Sequence, residues 1–343
     1  MTLRVACLGA GYFAQHHHAA WASMEGCTLV GVADQDPAAR TQAAANTHGA
    51  QGFTDLATMI AATSPDIIDI ITPPPSHHTA VTQALAARPR AVICQKPFAT
   101  SLEEATALAE AAQTAGVPLI IHENFRFQPW FRTIKAAIDA GQLGEVLNLT
   151  FRLRTGDGQG PDAYMDRQPY FQTMPRLLIH ETGVHYLDTF RYLMGPAQSI
   201  YADLRRLNPA IAGEDAGHVV LGWQGGARAV LDGNRLLDFD TDSPRRTFGE
   251  ALIEGTQASL HLTGDGAVLL RRFGTRGMQA ECLLEGRDWP GFAGDCVRAL
   301  QLHVRDALTT GTALENTAQD YLEVLRMEAA CYASDAEGRK VTL

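Results

Sequence analysis

The sequence predicts an α/β protein in two parts: a unit built on a parallel sheet, then an α+β unit with a large, mostly antiparallel sheet. Three observations carry that expectation. A short apolar run, residues 3–8, passes into the glycine turn Gly9-Ala10-Gly11 and then into an alanine-rich helical stretch over 12–24. Apolar runs and helical stretches then alternate as far as His122, as in parallel sheets covered on both faces. Beyond Phe125 the strand-length runs alternate apolar with polar residues, the pattern of a sheet with one packed face.

In chain order, the run 28–33 ends at Asp34 as a second strand, and Pro37 opens the next helix where a missing N–H costs nothing. Strand and helix pairs follow at 66–71 with 76–86 and at 91–95 with 102–115. A strand at 118–122 closes a first domain expected to span 1–124. The second domain, 125–343, begins with a helix over 131–140 that Gly141 stops. Alternating strands are expected at 146–153, 199–205, 218–223, 227–234, 251–254, 259–262 and 268–270. The stretch 155–170, rich in Gly, Asp, Gln and Pro and without periodicity, reads as a functional loop. A helix over 180–194 stops at Gly195, and helical patterns over 292–308 and 318–334 end the chain.

The 343 residues are 46% hydrophobic and 19% charged, enough for two ordinary cores. A net charge of -10 with a pI near 5.6 would repel nucleic acid and anionic membrane, so neither is expected as a partner. The six cysteines are scattered without ligand spacing, which predicts a reducing, cytoplasmic setting, and the Cys and His positions predict no metal site. No leading signal segment and no bilayer-length apolar run is read.

Gly9-Ala10-Gly11-Tyr12-Phe13-Ala14 has the GxGxxA form of a dinucleotide-binding (Rossmann) turn. Gly9 permits the bend, Gly11 lets the backbone approach a pyrophosphate, and Ala14 lets helix and strand pack closely. Tyr12 and Phe13 are counted with the glycines as cofactor contacts. Asp34 stands where a carboxylate accepts from adenosine ribose hydroxyls, which favours NAD over NADP. It is also placed to cap the following helix, and Arg40 stands near enough to meet a phosphate. Thr72 and Pro73 begin a rigid wall over the cofactor. His77 is included among the contacts there, although it and His78 read as helix-start residues rather than catalysts. His16, His17 and His18 point in different directions on a helix and read as surface or packing residues.

The run 91–97 ends in Gln95, Lys96 and Pro97, a buried strand that delivers one lysine at its carboxyl end, where α/β sheets place ligands. Lys96 is the first catalytic candidate, and Gln95 is placed beside the cofactor. On the helix over 180–194, Glu181 and His185 are four apart and share a face, the pairing a general base needs. Asp188 is expected to support the helix or pair with Arg191. Substrate contacts are expected from Lys96, Asn124, Arg126, His180, Glu181, His185 and the loop 157–164.

The GxGxxA turn, Thr72-Pro73, Gln95-Lys96-Pro97, Asn124-Phe125-Arg126 and the Glu181-x-Gly183-x-His185-x-x-Asp188 helix, in this order, resemble the Gfo/Idh/MocA oxidoreductases across nearly the whole chain. The resemblance implies a sugar or polyol dehydrogenase. His185 would take a hydroxyl proton as hydride moves to the nicotinamide of NAD, Lys96 would hydrogen-bond the same oxygen, and Glu181 would steady the imidazole. Which of Lys96 and His185 is the base stays open. Two positions depart from the family pattern: Gln95 replaces the usual Glu, and Glu181 replaces the commoner Asp. The stretches 156–161, 167–171 and 315–317 are similar to a branch of the family that oxidises D-apiose at C1 to its lactone. Inositol or another polyol, NAD-dependent glycoside cleavage, and a non-enzymatic NAD-binding sensor are the alternatives. A homodimer or homotetramer packed through the second domain's sheet is expected.

Overall fold

The computed structural model describes residues 2–47, 49–275 and 277–343. Two compact units emerge, Met1–Asn124 with Val297–Glu323, and Phe125–Cys296 with Val324–Leu343. The first segment of one unit ends at Asn124 and the other unit begins at Phe125. The expected second domain, 125–343, is corrected, because Val297–Glu323 returns to the first unit.

The first unit runs β1 (Leu3–Leu8), α1 (Ala14–Ala22), β2 (Cys27–Ala33), α2 (Pro37–Asn46), β3 (Gln51–Phe53), α3 (Leu56–Thr63), β4 (Ile67–Ile70), α4 (His77–Ala86), β5 (Ala91–Gln95), α5 (Leu102–Ala115) and β6 (Leu119–His122). Its six strands are parallel in the order β3-β2-β1-β4-β5-β6, the doubly wound arrangement of dinucleotide-binding domains. Every residue of β4, β5 and β6 is buried, which explains their unbroken apolar runs. β3 was not among the expected strands. Its three residues carry no periodic signal, and pairing with β2 makes it a strand. Asp36, Asp55 and Ser101 cap α2, α3 and α5 by accepting the N–H groups of Ala38, Thr58 and Glu104.

The second unit contains α6 (Pro129–Asp139), β7 (Val146–Arg154), α7 (Val184–Met194), β8 (Ser199–Arg205), β9 (Ala216–Gly222), β10 (Arg228–Asn234), α8 (Pro244–Thr247), β11 (Gly249–Gly255), β12 (Ala258–Leu262), β13 (Val268–Arg272) and β14 (Glu281–Leu284). Then come α9 (Cys296–Thr310), largely in the first unit, α10 (Ala318–Glu337) and β15 (Val341–Thr342). The nine-stranded sheet has the order β14-β13-β12-β11-β7-β10-β9-β8-β15, and only β7 with β10 is parallel. The expected strands are all present. The short β14 and β15 were not expected, since their pairing and not their residue pattern creates them.

Alternation along these strands sorts the faces. Leu149, Phe151, Ala251, Ile253, Leu260, Val219 and Leu221 are buried. The register lines Leu269, His261, Leu252, Thr150, Val230, Val220 and Tyr201 into one row across the other face. Leu252 and Tyr201 in that row are each 40% exposed. Among the described residues, no helix is long and apolar enough to cross a membrane.

The returning segment 297–323 is tied to β6 by backbone pairing. Ile121 N–H donates to the Asn316 carbonyl at 2.8 Å, and the buried Asn316 Nδ2 donates to the Glu123 carbonyl at 2.7 Å. Asn316 has φ 53°, a left-handed conformation that asparagine tolerates better than most residues. We expect Asn316→Ala to cost about 1–3 kcal/mol, seen as a lower denaturant midpoint. An unchanged midpoint would show that this anchor contributes nothing.

Candidate active site

In the first unit the glycine turn is built as a cradle. Gly9 has φ +111°, and a Cβ there would lie 3.0 Å from the Ile71 carbonyl carbon, so only glycine lets β1 and β4 approach at this point. A Cβ on Gly11 would meet nothing within 4 Å and would project into open space, the space a pyrophosphate requires. Ala14, 1% exposed, sits between helix and sheet, and no side chain caps the start of α1, where the Ala14 N–H donates to the Gly11 carbonyl at 3.0 Å. These features fit a bound dinucleotide. Tyr12 is 52% exposed on the turn, and Phe13 beside it is half-buried.

Asp34 follows β2. Its Oδ2 accepts the Ala10 N–H at 2.7 Å and its Oδ1 accepts the Asp36 N–H at 2.9 Å, so the carboxylate also holds the turn in shape. Four acceptor sites on a carboxylate leave capacity for ribose hydroxyls. Arg40 donates to the Asp34 carbonyl at 2.7 Å, which occupies part of the guanidinium that a phosphate would need. Burial, with His17 beside it, pushes His18 down to about 4, so it is neutral at pH 7 and donates from Nε2 to the Gly9 carbonyl.

Thr72 and Pro73 follow β4, and Thr72 Oγ1 accepts from Ser76 at 2.6 Å. His77 lies with its ring nitrogens 2.6 Å from the Thr72 carbonyl and 3.0 Å from the Phe98 carbonyl. It thus clamps the wall to the segment after Lys96. Burial pushes its pKa down, and the two carbonyls oppose that shift. Lys96, half-buried, follows the all-buried β5, and its N–H donates to Gln95 Oε1 at 2.7 Å. Asn124, 2% exposed, ends the first segment of the unit.

Beneath Gln95 lies a buried polar cluster that sequence reasoning missed. Asp69, fully buried on β4, accepts on Oδ2 from His17 Nδ1 at 2.9 Å, Trp21 Nε1 at 2.8 Å and Gln301 Nε2 at 3.3 Å. Burial pushes its carboxyl up, but His17, His122 and the Trp21 N–H outweigh burial and hold it below the ordinary carboxylate range. His17 and His18 are packing residues, as expected, but His17 is tied to an ion that no linear pattern announces. One signal was available: an aspartate inside the otherwise apolar run 67–71.

In the second unit, the expected single helix over 180–194 is corrected. Leu178–Gly183 is a π-helical turn, and the α-helix begins at Val184. The wider turn rotates Glu181 relative to α-helical spacing, so four-residue separation does not by itself put it on the face of His185. Such π-turns are frequent at functional sites. The Phe125 ring stacks flat on the His185 imidazole, with centroids 3.9 Å apart and planes 7° apart. Stacking fixes the ring plane and leaves hydrogen bonding to the nitrogens at the ring edge.

Glu181 Oε2 accepts from Thr182 Oγ1 at 2.5 Å and from Arg235 Nη1 at 3.3 Å. Arg235, not anticipated, is 3% exposed. It also reaches Asp157 at 3.4 Å and lies over the rings of Tyr164 and Phe171. Burial pushes its pKa down, but Asp157, Tyr164 and Glu181 together outweigh burial and raise it above that of a free guanidinium. Asp157, Tyr164 and Phe171 belong to the irregular stretch 155–173, which has a small core of Ala163, Tyr164, Phe171, Leu177 and Ile211. The expected loop is therefore an ordered element whose charge is wired to Glu181.

Two expected substrate contacts are engaged within the unit. Arg126, 5% exposed, binds Asp188 through both Nε (2.7 Å) and Nη2 (2.5 Å). Asp188 thus pairs chiefly with Arg126, with Arg191 farther off at 3.7 Å. His180 Nδ1 lies 2.6 Å from Glu328 Oε1, and its N–H donates to Tyr332 Oη at 3.2 Å.

Known proteins share this architecture. Residues 3–123 match the NAD-binding Rossmann domain of the GFO_IDH_MocA oxidoreductase family, and residues 131–261 match the GFO/IDH/MocA C-terminal domain. The chain is 32% identical over 350 residues to a D-apiose dehydrogenase of Rhizobium rhizogenes, covering 99% of this chain and 97% of that protein. It is 33% identical over 348 residues to a D-apiose dehydrogenase of Paraburkholderia graminis, covering 98% and 89%. An oxidoreductase from Agrobacterium radiobacter, solved with NAD+, L-tartaric acid and magnesium, superposes with a TM-score of 0.89 at 29% identity, covering 100% of this chain and 98% of that one.

The depressed Asp69 carboxyl links stability to pH. Its contribution is present above the unfolded carboxyl pKa and is lost as pH falls through the lower folded value. Asp69→Asn puts an amide group among three donors and should cost about 2–4 kcal/mol at pH 7. The loss should shrink toward acid, where the wild-type carboxyl is itself protonated. A pH-independent difference in denaturant midpoint would refute the charged role.

Proposed function

The chain belongs to the Gfo/Idh/MocA oxidoreductase family, and from that premise we propose that this NAD-dependent sugar dehydrogenase oxidises C1 of an aldose, D-apiose, to the lactone. The observation that carries the reading is similarity along nearly the full chain to two proteins named D-apiose dehydrogenase. Gly9, Gly11 and Asp34 hold the NAD, with Thr72 and Pro73 as its wall. NAD supplies the hydride acceptor. The cyclic aldose loses the C1 hydrogen as hydride and its C1 hydroxyl proton to a protein base, and the C1–O bond becomes the lactone carbonyl.

The family resemblance assigns the proton chemistry to Lys96 and His185. Within the first unit, the all-buried β5 and the Gln95 acceptor support Lys96 as a fixed donor. Within the second, the stacked Phe125 supports His185 as an oriented base, which two-nitrogen chemistry equips to pass a proton on. Glu181 and Arg235 set the charge on that side, and the ordered stretch 155–173 shapes sugar recognition. The Arg126–Asp188 pair is structural in this reading, bracing the segment that carries Phe125 against α7.

A panel of D-apiose, other aldoses and inositols, each with NAD and with NADP, should give NADH absorbance fastest with D-apiose and NAD. Preferential turnover of an inositol would overturn the substrate while leaving the family. Lys96→Ala and His185→Ala should each lower kcat by about 10²–10⁴ with the fold retained. Near-wild-type turnover in either would remove that residue from the mechanism.

The half-exposed row from Leu269 to Tyr201 on the nine-stranded sheet also supports a homodimer or homotetramer packed through that face. Sedimentation at micromolar concentration should give a multimer, and Leu252→Glu should shift it toward monomer. A monomeric wild-type protein would refute the assembly.

A further inference from the structure

Gln95 stands where the family resemblance leads one to expect a glutamate, and the structure supplies a physical reason for an amide. Four groups of the first unit form a chain of hydrogen bonds with a direction. Asp69 accepts from His17 Nδ1 at 2.9 Å, His17 Nε2 lies 3.2 Å from Gln95 Nε2, and Gln95 Oε1 accepts the Lys96 N–H at 2.7 Å. The two ends set that direction. A backbone N–H can only donate, so the Gln95 oxygen must face Lys96 and its NH2 must face His17. A carboxylate can only accept, so the His17 Nδ1 carries the proton and Nε2 is left as the acceptor for Gln95. His17 is fully buried and Gln95 is 8% exposed, so water does not readily replace a missing link.

We propose that Gln95 is a positioning residue for Lys96 and performs that role specifically as an amide, the last link of a directional chain that carries the orientation of buried Asp69 to the Lys96 backbone. This rests on the reading of Lys96 as catalytic. A glutamate in the same place would set a carboxylate oxygen against the bare His17 Nε2, two acceptors facing each other, unless His17 took a second proton. The identity of residue 95 and the protonation of residue 17 are therefore coupled.

The groups facing His17 are Asp69 from β4, Gln95 from β5, His122 from β6 with ring centroids 4.1 Å apart, and His18 on its own helix. Gln301 from α9 lies 3.5 Å from its carbonyl. Cys7 and Cys94, whose thiols burial and then Asp69 push well above the ordinary range, stay neutral in the same core. Asp69 already brings one carboxylate to this core, and a carboxylate at position 95 would add a second.

The test uses the full chain with NAD bound. Long-range proton–nitrogen NMR on 15N-histidine protein should find His17 protonated on Nδ1 and bare on Nε2. In Gln95→Glu, His17 should carry both protons at pH 6 and lose the second as pH rises. As it does so, the kcat of this variant relative to wild type should fall at least about tenfold between pH 6 and 9, the cost of facing acceptors. Removing the titrating ring in Gln95→Glu/His17→Asn should abolish that pH-dependent fall. A wild-type proton on Nε2, or a kcat ratio flat across this range in Gln95→Glu, would overturn the proposal. The NMR result does not depend on the chemistry. If it holds while Lys96→Ala keeps its turnover, the catalytic reading of Lys96 fails, and the chain's service to catalysis falls with it.

Discussion

One ion organises the first unit: the Asp69 carboxylate, placed in the middle of a parallel sheet with no exposed surface. An unpaired charge there is prohibitive, so neighbouring elements must each bring it a donor or a compensating group. α1 brings His17 and Trp21, and α9, returning from the far end of the chain, brings Gln301. The same requirement explains why 297–323 packs with the first unit although it follows the second unit's sheet in sequence. Satisfying Asp69 also fixes α1, whose first turn forms the dinucleotide cradle, and β5, whose end delivers Lys96. Cofactor turn and lysine are thus braced through one buried acceptor.

The second unit solves a parallel problem with a buried cation. Arg235, on the segment after β10, draws Asp157 and Glu181 toward it and lies over Tyr164 and Phe171. Its guanidinium has no apolar substitute of similar shape that would leave two carboxylates satisfied, so the irregular stretch 155–173 and the π-turn at 178–183 are held to one charge. The π-turn carries Glu181, which meets Arg235, and leads into α7, where His185 lies against Phe125. Order in a loop without periodicity comes here from ion pairing and a five-residue apolar cluster.

Much of this was legible in the residues. Fully buried strands write themselves as continuous apolar runs, and half-buried ones alternate, so β4, β5, β7 and β8 were found with boundaries within about two residues. Gly9 was legible because only a residue without Cβ meets its backbone and space requirements, and Gly11 because it completes the GxGxxA spacing. What escaped detection has a common cause. β3, β14 and β15 are two to four residues long and become strands through their partners. Arg235 looks like any strand-end arginine until Asp157, Glu181 and two rings surround it. The motif position of Arg126 says nothing of Asp188, sixty-two residues on, to which it is bonded.

By itself the sequence determined the two sheet types, the dinucleotide turn, the lysine at the end of β5 and the resemblance to an oxidoreductase family. Each of these is encoded in neighbouring residues: a period, a glycine spacing, an apolar run ending in a charge. Only the tertiary structure decided which unit owns 297–323, that His17 faces a buried carboxylate, that Gln95 links His17 to the Lys96 backbone, and that Glu181 answers to Arg235. Those outcomes rest on burial and on the direction of hydrogen bonds between residues as many as 284 apart. A donor or an acceptor acquires its meaning only from the group that folding places in front of it.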